Sequence, residues 1–286
     1  MTLLPLTPGR GLTSWALDLP TVVLLAAAVL MSLAMGRRRS AKSLTMTGLG
    51  VLGLLVATCS FLGVYDHTLF WVLAVQDVLL LTLVPIPLVL AGSRTWRLSP
   101  LAGSVLATGT LTAIYVSGWD QARLQHAWLF AFTHLLLVGV GCLFLGPLLQ
   151  EHGGSFAARA LVGFVDGLLD AIPGLAVLAT HGVIAAGWYS RHGRSWGPSA
   201  LTDQQIGGTA MIALSELVGL PALVLLLTRW MRADAVEADR VDAHLDQASD
   251  GSSAVGDDEQ RPWWLQDAGP LADRARRHGW TDDPPP

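Results

Sequence analysis

Long apolar runs separated by short polar connections dominate the chain. Six of them, at about 44–64, 68–91, 99–118, 126–148, 162–187 and 207–228, are each near the length an α-helix needs to cross a bilayer. A shorter run, Thr21 to Gly36, precedes them and reaches spanning length if Leu17 to Pro20 are added. The pattern predicts an all-α polytopic membrane protein of seven helices. Pro85 and Pro87 in the third run, Pro173 in the sixth and Pro221 in the seventh predict kinks rather than breaks, because neighbouring groups re-satisfy the freed carbonyls. Glycines at Gly48, Gly50 and Gly53, at Gly139 and Gly141, and at Gly163 and Gly167 read as seams where helices approach closely.

The polar connections orient the predicted bundle. Arg37, Arg38, Arg39, Lys42, Arg94, Arg97, Arg159, Arg229 and Arg232 fall on one side, nine basic residues in all. The other side has four, at Arg10, Arg123, Arg191 and Arg194. The positive-inside rule then puts the N-terminus outside and the C-terminus in the cytoplasm. A cleaved signal peptide carries its positive charge ahead of the apolar run, whereas the arginines here follow it. The expected organisation is an extracytoplasmic segment at 1–19, a membrane domain at 20–232 and a polar cytoplasmic tail at 233–286. The tail starts acidic and helical from Asp234 to Gln247. It should be disordered from Ser249 to Gln260, and later carries Arg261-Pro262-Trp263-Trp264, a motif suited to a headgroup layer or a docking partner.

Composition narrows the class. Hydrophobic residues make up 52% of the chain and charged residues 14%, far fewer than the roughly 25% of soluble domains, and mean hydropathy is +0.49. No basic stretch with interleaved aromatics points to nucleic acid. Cys59 and Cys142 both lie in apolar runs without a CxxC spacing, which argues against a soluble thiol metallochaperone.

Against this background the ionisable residues inside the spans stand out, since such groups are costly at membrane depth and mark functional sites by default. At about 1.5 Å of rise per residue, Asp77 and His134 lie roughly 12–13 Å below the outer face, Glu216 roughly 13 Å and His181 roughly 9 Å. Four titratable side chains on four helices thus fall in one slab. Cys59 and Met211 lie nearer the outer ends of their spans, roughly 7 Å deep. His67, Asp120, His126, His192 and Asp203 are placed at the mouth. Imidazole, thiolate and thioether together favour copper, so the predicted site is a cation-handling cavity open to the outside. Each residue also has a plainer role: Cys59 as a small core residue, Met211 as a packing filler, Asp203 as a helix cap, and Asp77 and Glu216 as neutral acids.

Asp203-Gln204-Gln205 with Gly207-Gly208 resembles the DQ-x-x-GG signature of CtaG-type cytochrome c oxidase assembly factors. The aromatic pair Trp188-Tyr189, and His134 followed by the run ending in Leu145-Gly146-Pro147, are similar to that family too. With the seven-span layout, the resemblance covers about residues 20–240. It implies a multi-pass protein of a bacterial-type plasma membrane that serves assembly of a haem–copper oxidase, with an oxidase subunit as partner, copper as cargo and no catalysis. The family typically has Gln-His where this chain has Gln76-Asp77, and a carboxylate is a poorer match for Cu(I) than imidazole. On this reading His126 and His134 receive the ion while His181, Glu216 and Asp77 help to hold it. The signature also has a mechanical reading: Asp203 caps the helix starting near Ile206, Gln204 and Gln205 offer amides to the cavity mouth, and Gly207-Gly208 admit a close neighbour.

Other classes fare unevenly. A retinal-type pump needs a lysine in the last span, and Lys42 is the only lysine in the chain. An intramembrane metalloprotease would carry HExxH, which is absent. A haem protein with His134 and His181 as axial ligands stays open, as does an assembly scaffold that touches no metal.

Overall fold

The computed structural model describes residues 4–17, 40–92, 98–149 and 167–252, with isolated positions elsewhere. It divides into two compact units, residues 1–227 and 228–286, and the candidate site lies wholly in the first. The described residues are helical, with no strand among them. In chain order the helices are α1 (Pro8–Thr13), α2 (Ala41–Cys59), α3 (Phe61–Tyr65), α4 (Phe70–Leu81), α5 (Pro85–Ala91), α6 (Pro100–Val116), α7 (Trp119–Gln125), α8 (Ala127–Leu149), α9 (Ile172–Ala179), α10 (Ala186–Tyr189) and α11 (Ala200–Ser252).

Among the described residues three helical stretches are long and apolar enough to cross a membrane: Ala41–Tyr65, Phe70–Ala91 and Ala127–Leu149. A fourth is the pair α6 and α7, bent by 71°. The first predicted span falls mostly outside the described residues, with helix at its described positions 20, 22, 23, 26 and 27; the sixth is represented by the shorter apolar helix Gly167–Ala179, and the seventh lies within α11.

Local chemistry sets the boundaries. Ser40 caps α2 by accepting from the Ser43 amide, and Ser99 caps α6 by accepting from the Ala102 amide. Ser60 lies between α2 and α3, where its hydroxyl accepts from the Leu62 amide. The predicted proline kink in the third span is observed. Between α4 and α5 the Val84 amide reaches back five residues to the Leu79 carbonyl, a π-type turn ahead of Pro85. Gly118, at φ 79°, lets the chain turn from α6 into α7.

The core is built along α8. Phe130, His134, Leu137, Gly141 and Phe144 recur at three- and four-residue spacing and are buried, as are Ser104, Ala107, Leu111 and Ile114 on α6. These faces pack together, and at the closest approach a Cβ on Gly103 would stand 3.0 Å from Phe144 Cα. Gly141 sits against the α4–α5 kink, where a Cβ would collide with the Leu81 carbonyl and the Pro85 ring. Outward faces carry Leu52, Val105 and Leu135, as expected where lipid rather than water is the neighbour.

The sixth predicted span ends earlier than its hydropathy suggests. Helix α9 stops at Ala179, and residues 180–185 are irregular, with Ala185 in the left-handed region at φ 53°. Pro173 stands in the first turn of α9, two residues past the turn at Ala171 that interrupts the apolar helix Gly167–Ala179. In the second unit helix continues through Ser249, the expected start of disorder, as far as Ser252. Most of the remaining tail, including Arg261-Pro262-Trp263-Trp264, lies outside the described residues.

Candidate functional site

Arg123 is the centre of the site, and hydropathy misassigns it. Counted among the connecting-loop charges, it is instead fully buried, because α7 folds back against α8. Its Nη1 and Nη2 donate to Asp77 Oδ1 and Oδ2 at 2.9 and 2.6 Å, a two-pronged pairing. Its Nε donates to Asp120 Oδ1 at 2.9 Å, with Nη2 2.7 Å from the same oxygen. The Tyr115 hydroxyl donates to Asp77 Oδ2 at 2.6 Å. Both carboxylates are as fully buried as the guanidinium. Three charges at this depth survive only because each has close partners of opposite sign.

Aromatic rings surround the ions. The guanidinium carbon lies 5.6 Å from the Tyr115 ring centre and 6.0 Å from that of Phe130. Phe130 also packs on His134 at 4.6 Å and on His67 at 4.5 Å. The His134 ring is buried and its Nε2 has no hydrogen-bond partner among the described residues. His67 Nδ1 lies 2.6 Å from Asp66 Oδ1 in the turn between α3 and α4, and its side chain is 41% exposed. Burial pushes the Asp66 carboxyl above the usual range, while the bond to His67 pulls it down.

A second cluster fastens the helix ends nearby, and here the signature residues act. Asp203 does not cap its own helix, as expected from sequence. Helix α11 begins earlier, at Ala200, with the Ser199 hydroxyl accepting from the Thr202 amide. Asp203 instead caps α4, accepting from the Phe70 amide at 2.9 Å and the Trp71 amide at 3.3 Å. Leu69, the residue preceding α4, supplies no side-chain cap of its own. Burial raises the Asp203 carboxyl, opposed by those two amides and by Arg194 at 3.1 Å.

Gln204 explains why α9 stops where it does. Its amide nitrogen donates to the carbonyls of Val177, Thr180 and Gly182, and its oxygen accepts from the Ile184 amide at 2.7 Å. One buried side chain thus satisfies the frayed end of a helix. It is committed there rather than offered to a cavity mouth, and Gln205 is exposed. Gly207 and Gly208 do admit close neighbours. A Cβ on the first would stand 2.7 Å from the Phe70 ring, and on the second 3.0 Å from the Gly174 carbonyl. Arg194 and Trp188 complete the fastening through the Thr68 and His67 carbonyls, each at 2.9 Å.

The predicted ligands are only partly brought together. Asp77 and Asp120 meet on Arg123, His134 is joined to it through the Phe130 ring, and Tyr189 packs on Phe70. Both oxygens of Asp77 are taken up by Arg123 and Tyr115. His126 is exposed at the break between α7 and α8, His181 is exposed in the irregular stretch after α9, and Glu216 is half-buried on α11. Cys59 and Met211 are buried, and Met211 belongs to the apolar core. Among the described residues no group of three or more His, Cys, Asp and Glu side chains is placed to hold a metal ion. An open apolar groove of about 460 Å³ between α6 and α9, lined by Val105, Gly109, Ala113 and Ile172, involves none of these charges.

Sequence reasoning missed Arg123 and Tyr115. The available signal was Asp120-Gln121-Ala122-Arg123, an i,i+3 acid–base pair beside a span, together with an Asp77 that needs a counter-charge in lipid.

The chain matches the family model described as cytochrome c oxidase caa3 assembly factor (Caa3_CtaG) over residues 22–233. It is 25% identical over 156 residues to Uncharacterized protein Mb0105 of Mycobacterium bovis and to Uncharacterized protein MT0111 of Mycobacterium tuberculosis, covering 53% of this chain and 24% of each relative. To Uncharacterized protein ML1998 of Mycobacterium leprae it is 25% identical over 151 residues, 51% of this chain and 23% of the relative. The chain therefore spans about a quarter of the length of the curated relatives it matches. No solved structure matches it. From the family model, which covers most of the described bundle and the whole signature, the chain belongs to the caa3 cytochrome c oxidase assembly factor family.

Proposed function

We propose that this protein is a multi-pass plasma-membrane assembly factor of seven spans, N-terminus outside, that serves a caa3-type cytochrome c oxidase by handling copper on the outer side. The observation that carries the reading is the family match over residues 22–233. The end of the bundle that holds Arg123, His67 and His134 is the outer end in this orientation, and it is where cargo and an oxidase subunit would meet. Copper is the substrate of this activity, and no catalysis is involved. His126 and His181, exposed, are its first contacts. His134, with its free Nε2, is the deeper one, and Glu216 lends a carboxylate. Asp77 acts through Arg123, since its oxygens are already engaged.

A scaffold that positions an oxidase subunit without touching metal has its own support, because no three of the described donors converge. One experiment separates the two. In cells expressing His134→Ala at wild-type level, the copper-to-haem ratio of the purified oxidase is measured. The copper reading expects a lower ratio with oxidase subunits still present. An unchanged ratio leaves only the scaffold.

A further inference from the structure

Residues 4–17, which the sequence places in an extracytoplasmic segment, are tied to the side of a span. The Tyr65 hydroxyl donates to the Leu4 carbonyl at 3.0 Å, and the Ala16 amide donates to the Cys59 carbonyl at 2.9 Å. Between these two ties α1 packs on α3, and Leu6 joins the apolar cluster of Leu62, Tyr65 and Leu69. Cys59 and Tyr65 both belong to Ala41–Tyr65, a stretch long and apolar enough to cross a membrane. Cys59 precedes Tyr65 by about 9 Å of helical rise. The segment is therefore level with the last part of that stretch.

Its side chains are turned as lipid, not water, requires. The polar ones bond back to the segment's own backbone. The Thr7 hydroxyl accepts from the Arg10 amide, and Arg10 Nη1 donates to the Pro5 carbonyl. The Thr13 hydroxyl donates to the Gly9 carbonyl, and Trp15 Nε1 to the Leu12 carbonyl. The large apolar ones face outward: Leu12 is 81% exposed, Trp15 57% and Leu17 77%. Apolar residues on a water-facing surface are normally scattered singly, and these three are crowded together. The outward face of α2 carries Leu49, Leu52 and Val56 at helical spacing. That apolar surface runs up to Cys59, where Ala16 is tied. Tryptophan, an apolar ring with one polar N–H, is enriched where acyl chains meet headgroups.

We propose that residues 4–17 lie in the interfacial layer of the bilayer, with Leu12, Trp15 and Leu17 among the acyl chains just beneath the lipid headgroups. Interfacial segments bury their apolar face roughly 5–10 Å into that boundary, which matches a position beside Cys59 and Tyr65. The occupant of this face is lipid rather than a protein, because the face continues the apolar side of α2 and its indole N–H is already bonded. Neither copper nor an oxidase is required, only that Ala41–Tyr65 spans the bilayer.

The test uses the full chain in nanodiscs, with Cys59→Ala and Cys142→Ala to leave no other thiol. A nitroxide label is attached at Leu12→Cys and, separately, at Leu17→Cys. Leu52→Cys on the outward face of α2 is the lipid reference, and Asp242→Cys on the exposed polar part of α11 is the aqueous one. At each position collision with oxygen, which concentrates in lipid, is compared with collision with a water-soluble nickel chelate. Both segment positions are expected to favour oxygen, as Leu52→Cys does; should one variant not fold, the other carries the test. A preference for the nickel chelate, as at Asp242→Cys, puts the segment in water and overturns the proposal. Shielding from both quenchers means that protein covers the face, and overturns it equally. Should Leu52→Cys itself favour nickel, the span fails and the interfacial segment with it. An aqueous reading at Leu12→Cys and Leu17→Cys alone leaves the span and the proposed oxidase role untouched.

Discussion

The Arg123 centre and the Asp203–Gln204 clamp are neighbours at one end of the first unit, and both fasten α4 with buried polar groups. They differ in what is left over. Asp203 receives two amides and a guanidinium, and Gln204 uses both its nitrogen and its oxygen. Around Arg123, by contrast, Asp120 Oδ2 and His134 Nε2 find no partner among the described residues. A saturated network holds a shape, whereas an unsaturated one holds a shape and waits for something more. The residues that most resemble the family signature thus do mechanical work, and the chemistry sits on residues scattered over α4, α6, α7 and α8. Substitutions in the two clusters should separate accordingly.

The largest effect is expected at Arg123. Arg123→Met removes the cation bonded to two fully buried carboxylates, and breaking a buried pair this way costs about 3–5 kcal/mol. The fraction of monodisperse protein surviving a heat step in detergent should collapse. The triple variant Arg123→Met, Asp77→Leu, Asp120→Leu removes the charges together, and should recover most of the stability without recovering oxidase assembly. Recovery of both would reduce the ion centre to packing.

Gln204→Leu comes next. It keeps the side chain's bulk but strands the Ile184 amide and the carbonyls at the end of α9, at a cost of about 1–3 kcal/mol. Unlike Arg123→Met, it should leave the ion centre intact. Protein that stays folded is therefore expected to support assembly, and proteolysis should first appear within residues 180–185. Cleavage elsewhere, or assembly lost at full stability, would erase the distinction between the clusters.

How legible these regions were in the sequence follows from what hydropathy can see. The runs behind α2, α4 and α8 announce themselves, and Pro85 with Pro87 marks the kink, because burial in lipid and a missing amide are properties of a local stretch. The end of α9 is different: a residue more than twenty positions later terminates it, and no window over 162–187 contains Gln204. Asp203 likewise looks like a cap for the helix it sits in, while the amides it serves lie 132 and 133 residues earlier. Arg123 was hidden by a rule that is otherwise sound, since a cation between two spans is normally a loop charge. Asp77 and His134 are legible from cost alone, as titratable groups set in apolar surroundings, whereas Asp120 is legible only as a mouth residue, by its position. His126, His181 and Gln205 were placed by position along the chain, which cannot tell an exposed turn from a lined cavity.

The smallest expected effect also cuts most finely between the two networks. Tyr115→Phe deletes one hydroxyl that donates to Asp77 Oδ2 at 2.6 Å and keeps the ring against which Arg123 and Phe70 pack. Asp77 retains both bonds from Arg123, so the loss should be about 1 kcal/mol, that of a single hydrogen bond with its acceptor still partnered. If Arg123 holds Asp77 rigidly without help, assembly should be unaffected and only the heat survival curve should move slightly. A loss of assembly out of proportion to that shift would mean that the placement of Asp77, and through it of Arg123 and Asp120, is held within narrower limits than stability requires. That is the behaviour of a site rather than of a clamp.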